Sequence, residues 1–236
     1  MTRRRWIADE ASPNRAALTG GHADHLIRVL RAKVGQEFDI ATDSKVRRGR
    51  IVSIHDGRVE FELGEEILAT AAPAITLLLA VFKFDRMEWA IEKCTELGIS
   101  QIVPVIARRT DVHLAAAATK RTERWRRIAL QASEQSRRAA PPEIAGPLKL
   151  QDAAKLTGGP RIILAESEEH ARLREVLLPN SEGHILLAVG PEGGWTDDEL
   201  HLFQNAGWIS ASLGSTILRA ETAAIAAVAV IVSELS

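Results

Sequence analysis

Two regimes of hydrophobic patterning divide the chain. Up to about residue 68, apolar and polar positions alternate with a period of two, the pattern of half-buried strands. Lys33–Ile40 ends in such alternation, Arg50–Ile54 repeats it, and Arg58–Leu63 follows with its apolar residues on one face. Asp56-Gly57 separates the last two segments. That dipeptide is a hairpin signal, because both residues tolerate the positive φ of a two-residue turn. A helix is expected around Gly21–Arg31, and the segment as a whole reads as a small β-barrel.

The pattern changes after Ala69–Ala74, a plausible linker of small residues and one proline. Ile75–Val81 is an apolar run broken only by Thr76, as expected of a parallel strand buried on both faces. Asp85–Leu97 then places Met87, Ala90, Ile91, Cys94 and Leu97 at helical spacing and stops at Gly98. The alternation continues with a strand at Ile102–Ile106, a helix at Thr119–Arg138, a strand at Ile162–Ala165 and a helix at Glu168–Leu178. Strand His184–Val189, helix Thr196–Ala206, strand Trp208–Leu213 and helix Arg219–Leu235 complete it. Thr196 and Glu199 have the spacing of a capping box. Strand and helix in alternation predict an α/β fold with a mostly parallel sheet. The expected division is a barrel over 1–72 and an α/β domain over 73–236.

Composition adds little until charge is split along the chain. The single cysteine excludes a disulfide framework or a multi-cysteine metal site and fits a reducing cytoplasm. No metal is expected: His22 and His25 have a metal-like spacing, yet no third ligand lies near. The start of the chain does not read as a secretory signal, and the longest strongly apolar run, Ala223–Val232, is too short for a bilayer. The net charge of -1 at first argues against a polyanion partner. By segment, residues 1–72 hold 12 basic and 11 acidic side chains, residues 73–138 hold 12 and 7, and residues 139–236 hold 6 and 13. The near-neutral total is a cancellation of a basic front against an acidic back. A basic front half is the footprint of a polyanion partner, or equally of a solvated face.

Two loops carry the pointed signals. Val189-Gly190-Pro191-Glu192-Gly193-Gly194-Trp195-Thr196 ends a strand in a glycine-rich turn and opens a helix at once. Ligands of open α/β sheets lie beyond such strand ends, and glycine lets the backbone come close to them. The spacing does not match the nucleotide-phosphate loops, and a plain tight turn is the competing reading. The second, Leu213-Gly214-Ser215-Thr216-Ile217-Leu218-Arg219-Ala220-Glu221-Thr222, puts Arg219 at a helix N-terminus, where the macrodipole disfavours a cation. A phosphate or carboxylate ligand would hold it there. So would an ion pair with Glu221 or Glu192.

The residues then match a known pattern nearly end to end. His25–Arg31, Lys93–Gly98 with Pro104 and Arg109, Glu134-Gln135-Ser136 with Arg138, Gly190–Gly194, and Leu213-Gly214 with Ile217-Leu218-Arg219 and Glu221-Thr222-Ala223 occur in order. In these the chain resembles the RsmE family of 16S ribosomal RNA (uracil-N3)-methyltransferases, within the SPOUT superfamily. It departs from the family at Thr216, where a basic residue is usual, at Ala220, often Thr, and at Arg137, where Gly is common.

The resemblance implies a PUA-like RNA-binding barrel, followed by a SPOUT α/β domain with a C-terminal trefoil knot, an exception to the rule that chains do not thread themselves. It implies S-adenosylmethionine as cofactor, 16S rRNA or the small ribosomal subunit as partner, and a homodimer through the knotted domain. Leu164, Ala165, Gly190, Pro191, Glu192, Gly193, Leu213, Gly214, Ser215, Ile217, Leu218 and Thr222 are the expected cofactor contacts. Arg219 is the expected stabiliser of the developing uracilate or of a phosphate, with Glu192 or Glu221 as base, because uracil N3 is protonated at neutral pH and must lose that proton. Arg28, Arg31, Arg47, Arg48, Arg109 and Arg138 are the expected RNA contacts, with strongly salt-dependent binding. The acidic excess after residue 139 should lie mostly away from the RNA face, and finding it at the mouth of the cofactor cleft would count against this docking. A SPOUT enzyme acting on a ribose hydroxyl or another base, and a non-catalytic RNA-binding assembly protein, are the alternatives.

Overall fold

The computed structural model describes residues 5–42, 45–67, 74–136, 138–177 and 183–235. Most of the expected linker Ala69–Ala74, together with Arg137 and Leu178, falls outside the described residues. The chain divides into two compact units, residues 1–71 with 133–140, and residues 72–132 with 141–236.

The first unit holds strands β1 (Arg5–Ile7), β2 (Glu10–Ser12) and β3 (Arg15–Leu18), helix α1 (Gly20–Asp24) continued by a π-helical turn over His25–Val29, and strands β4 (Glu37–Thr42), β5 (Lys45–His55) and β6 (Arg58–Ile67). The strands form a half-barrel in the order β1-β4-β5-β6-β3-β2. Only β1 and β4 run parallel. The hairpin joining β5 and β6 turns at Asp56 and Gly57, with φ of 45° and 69°, as the dipeptide predicted. Helical structure stops two residues earlier than expected, and Arg31 adopts φ 50° beyond it. β5 starts five residues earlier than its alternation suggested. Here the pairing with β6 shifts register between Arg47 and Gly49, which breaks the period, and the Arg47 guanidinium donates to the backbone carbonyls of Gly64, Leu63 and Pro13.

Trp6, Leu18, Leu26, Ile40, Ile51, Val59 and Phe61 form the core of this unit. Gly49 on β5 is forced by that packing: a Cβ there would lie 2.3 Å from Ile40 Cγ1 and 3.2 Å from Phe61 Cδ1. His22 is held between two carboxylates, with Nδ1 2.9 Å from Asp9 Oδ1 and Nε2 2.7 Å from Glu134 Oε1.

The second unit alternates strand and helix: β7 (Ile75–Ala80), α2 (Phe84–Leu97), β8 (Gln101–Ile106) and α3 (Val112–Gln135) come first. The short β9 (Glu143–Ile144), β10 (Leu148–Lys149) and α4 (Leu150–Ala153) follow. β11 (Arg161–Leu164), α5 (Leu173–Leu177), β12 (Ile185–Val189), α6 (Asp197–Asn205), β13 (Ile209–Ala211) and α7 (Ala220–Leu235) complete it. The sheet runs β10-β8-β7-β12-β11-β13, with β9 beside β8, and every pairing is parallel.

β7 is buried at every position because both faces are covered. Ile75, Leu77 and Leu79 pack with Met87 and Ile91 of α2 and with Val228 and Ile231 of α7. Leu78 and Ala80 face Trp195, Phe203 and Trp208 instead. α2 ends at Gly98 with φ 105°, a left-handed cap that glycine takes without strain.

Two helices differ from their sequence expectations for local reasons. α5 is shorter than Glu168–Leu178: the Glu168 carboxylate accepts the backbone N–H groups of His170 and Ala171 at 2.9 and 3.0 Å, a turn that competes with helix. α3 starts seven residues early, where Asp111 accepts the N–H groups of His113 and Leu114 at 2.8 and 3.3 Å and an alanine run propagates the helix.

Candidate active site

The chain leaves three adjacent parallel strands, β12, β11 and β13, at their carboxyl ends, and the three exits converge on one cavity of about 320 Å³. Its walls are Leu164 to Ser167 after β11, Val189 to Trp195 through the end of β12, and Ala211 to Leu218 through the end of β13. Ala220 and Ala223 of α7 add to them. That is where the crevice rule for open α/β sheets places a ligand.

The walls are tied to each other by directed bonds. Trp195 Nε1 donates to the Leu164 carbonyl at 3.0 Å, joining the glycine loop to the end of β11. Arg109 Nη1 donates to the carbonyls of Gly193 and Trp195. Thr196 and Glu199 form the expected capping box at the start of α6. The second oxygen of Glu199 also accepts the Arg108 N–H at 2.7 Å. The β13 exit is held as firmly: Ser212 N–H donates to the Ala171 carbonyl at 2.9 Å, and Ser212 O accepts from Leu173 N–H at 3.0 Å.

The glycines have a physical reason that the sequence reading did not supply. A Cβ at Gly190 would lie 3.2 Å from the Trp195 indole, and one at Gly193 would lie 3.2 Å from Arg109 Cδ. Both positions are small in order to seat the side chains that brace the loop.

Of the expected cofactor contacts, Leu164, Ala165, Gly190, Pro191, Glu192, Gly193, Leu213, Gly214, Ser215, Ile217 and Leu218 all line the cavity, and Thr222 does not. Arg219 is exposed, and its carbonyl accepts the Ala223 N–H at 2.8 Å, so it stands at the N-cap of α7. Its guanidinium makes no ion pair or hydrogen bond among the described residues.

The ion pairs weighed for Arg219 are taken by Arg86, a residue of α2 that sequence reasoning did not single out. Arg86 Nη1 donates to Glu192 Oε1 at 2.8 Å, and Arg86 Nε lies 3.8 Å from Glu221 Oε1. Glu221 is 2% exposed, does not line the cavity, and its Oε2 finds no hydrogen-bond partner among the described residues. No periodicity or motif could have paired residues 86, 192 and 221.

The six expected RNA-contacting arginines have different environments. Arg28, Arg31 and Arg48 are exposed, with Arg28 Nε 3.3 Å from Asp24 and Arg48 Nη1 3.9 Å from Glu37. Arg47 is spent on backbone carbonyls, and Arg109 lines the cavity while bracing the glycine loop. Arg138 is partly buried, which pulls its guanidinium below the usual value. Of the acidic residues after 139, Glu166, Glu192 and Asp197 line the cavity, and the other described ones do not. Among the described residues no group of three or more His, Cys, Asp or Glu side chains could hold a metal, and no helix is long and apolar enough to cross a membrane.

Comparison with known proteins gives this geometry a family. The pattern of the RNA methyltransferase domain family matches residues 70–232. The chain is 34% identical over 221 residues to the ribosomal RNA small subunit methyltransferase E of Synechocystis, covering 90% of this chain and 71% of that one. It is 33% identical over 225 residues to the protein of that name from Rickettsia conorii, covering 93% and 90%. The crystal structure of the Neisseria gonorrhoeae ribosomal RNA small subunit methyltransferase E, bound to S-adenosyl methionine, superposes with a TM-score of 0.86. It is 29% identical and covers 99% of this chain and 98% of that one. The cavity thus belongs to a sequence and a fold shared along nearly the whole length, and the chain belongs to the ribosomal RNA small subunit methyltransferase E family.

Proposed function

We propose that the protein transfers a methyl group from S-adenosylmethionine to N3 of a uridine in 16S ribosomal RNA. One observation carries this reading: the cavity lies at the carboxyl ends of three adjacent parallel strands, beside an N-cap arginine that has no partner among the described residues. The residues present fit the cofactor. The cavity volume suits a small molecule, Leu164, Val189 and Leu213 offer apolar walls, and the Glu166 and Asp197 carboxylates complement a cation. S-adenosylmethionine, when bound, supplies a methyl group already activated as a sulfonium.

The protein's own work is to orient N3 and take its proton. Of the two expected bases, only Glu192 lines the cavity, so Glu192 takes the proton in this reading. Arg219, exposed and without a partner among the described residues, stabilises the uracilate oxygen or holds a backbone phosphate. A paired uridine would be inaccessible, so the substrate base is exposed or flipped.

In the same reading the 1–72 segment is a PUA-like domain presenting Arg28, Arg31 and Arg48 to RNA. The 73–236 segment is a SPOUT domain with a trefoil knot, dimeric through that domain and cytoplasmic.

The test is Arg219→Ala with nucleoside mass spectrometry of the RNA product and calorimetry with S-adenosylmethionine. Methylation is expected to vanish while cofactor affinity stays within a few fold. Lost cofactor binding would move Arg219 into the cofactor site, and a ribose-methylated or differently methylated product would overturn the N3 assignment.

A further inference from the structure

Arg86 belongs to the first turn of α2, away from every residue that the motifs mark. Its guanidinium nevertheless reaches two acidic residues, Glu192 on the glycine loop at 2.8 Å and Glu221 in the first turn of α7 at 3.8 Å. The two carboxylates come from different segments, the glycine loop and the start of α7, and are 29 residues apart in sequence. One cation with several donors in a fixed fork can serve both, and a point charge on a flexible stem cannot do so in the same geometry. Glu221 is nearly fully buried, its second oxygen has no donor among the described residues, and Arg86 supplies a cation 3.8 Å from its first oxygen, beside an otherwise costly buried charge. Glu192 is the only one of the two that faces the ligand space.

Building on the methyl-transfer reading above, we infer that Arg86 is a positioning residue: it ties the glycine loop to the start of α7 and fixes the Glu192 carboxylate for proton removal. Arg86 itself does not line the cavity. Its effect passes through Glu192, which it aims, and through Glu221, whose charge it compensates. By the same connection it sets where Arg219 stands, because Arg219 is two residues before Glu221.

The experiment uses the full-length chain and the variants Arg86→Gln and Arg86→Lys. For Arg86→Gln, kcat is expected to fall about a hundredfold, the cost of an ångström-scale misplacement. KM for RNA and the dissociation constant of S-adenosylmethionine should change by less than about threefold. Added guanidinium ion, at concentrations far below denaturing, should restore part of kcat. In the protein without cofactor, amide exchange at Gly193, Gly194 and Trp195 should rise, a readout that needs no catalysis. Arg86→Lys keeps the charge and the fold but should recover little of kcat, and it substitutes for Arg86→Gln if that variant does not fold. Unchanged kcat and unchanged exchange in Arg86→Lys or Arg86→Gln would overturn the inference. So would a loss of cofactor affinity in proportion to kcat, since Arg86 would then act in the cofactor site. If the unmodified protein neither binds S-adenosylmethionine nor methylates RNA, the reading of the site itself fails. If it does both and the variants match it, only the role of Arg86 fails.

Discussion

Replacing Trp195 by Phe is the sharpest test of how the cavity is held open. Trp195 is 8% exposed, its Nε1 donates to the Leu164 carbonyl at 3.0 Å, and its ring meets Phe203 edge to face at 5.3 Å. Phe keeps an aromatic ring but removes the donor that ties the glycine loop to the end of β11. The lost hydrogen bond is worth about 1 kcal/mol, and more where the carbonyl stays dry. The reduced ring contact with Phe203 and the unfilled pyrrole volume add about another 1 kcal/mol. The sum, about 2 kcal/mol, should lower Tm by about 4–8 °C for a chain of this size. Calorimetry should show weaker S-adenosylmethionine binding as well, because the Gly190–Trp195 wall loses its brace to Leu164. Urea unfolding and the thermal transition check the first number independently. A variant with unchanged midpoint and unchanged cofactor affinity would refute the claim that this bond shapes the site.

Two further outcomes follow from packing alone. Burial pushes the Cys94 thiol up to about 12 from its ordinary 9.0. The neutral buried thiol therefore contributes stability that is complete below pH 9.0 and is lost as pH rises through about 12. At pH 8 a thiol reagent should label the native protein only as fast as the second unit unfolds, and rapid stoichiometric labelling would contradict its burial. Gly49→Ala would place a Cβ 2.3 Å from Ile40 Cγ1, so overpacking should cost the first unit about 1–3 kcal/mol in a denaturant titration. Cofactor affinity should not change, and a wild-type unfolding midpoint would show that the half-barrel core yields more easily than its geometry implies.

The residues that were legible in the sequence share one property: their structure is decided within a few positions. Asp56-Gly57 carries its own turn, Thr196 and Glu199 carry their own cap, and β7 advertises burial on two faces by six consecutive buried positions. The glycine loop and the β13 exit were legible as the walls of a cavity because strand ends in an α/β sheet have only a few uses. What escaped detection depends on long-range encounters. Arg86 joins residues 192 and 221, and Arg109 spends its guanidinium on carbonyls 84 and 86 residues away. Strands β9 and β10 are two residues long, below the length at which any period can register. Thr222 was placed among the cofactor contacts by motif adjacency, but it is exposed and outside the cavity lining, because helical rotation turns neighbours to different faces.

The strand order of the second unit has a consequence in time. β7 is bordered by β8, which follows within about twenty residues, and by β12, which ends at Val189. A growing chain can therefore pair one flank of β7 early, while the other flank waits for more than a hundred further residues. At about 5–20 residues per second, synthesis leaves that flank uncovered for roughly 5–20 s. During that interval the nascent protein presents Ile75, Leu77, Leu78 and Leu79 on an unpaired edge, the kind of surface that seeks strands from other chains. Slower translation before codon 189, or higher temperature, should raise the share lost to aggregation without altering the stability of the finished molecule.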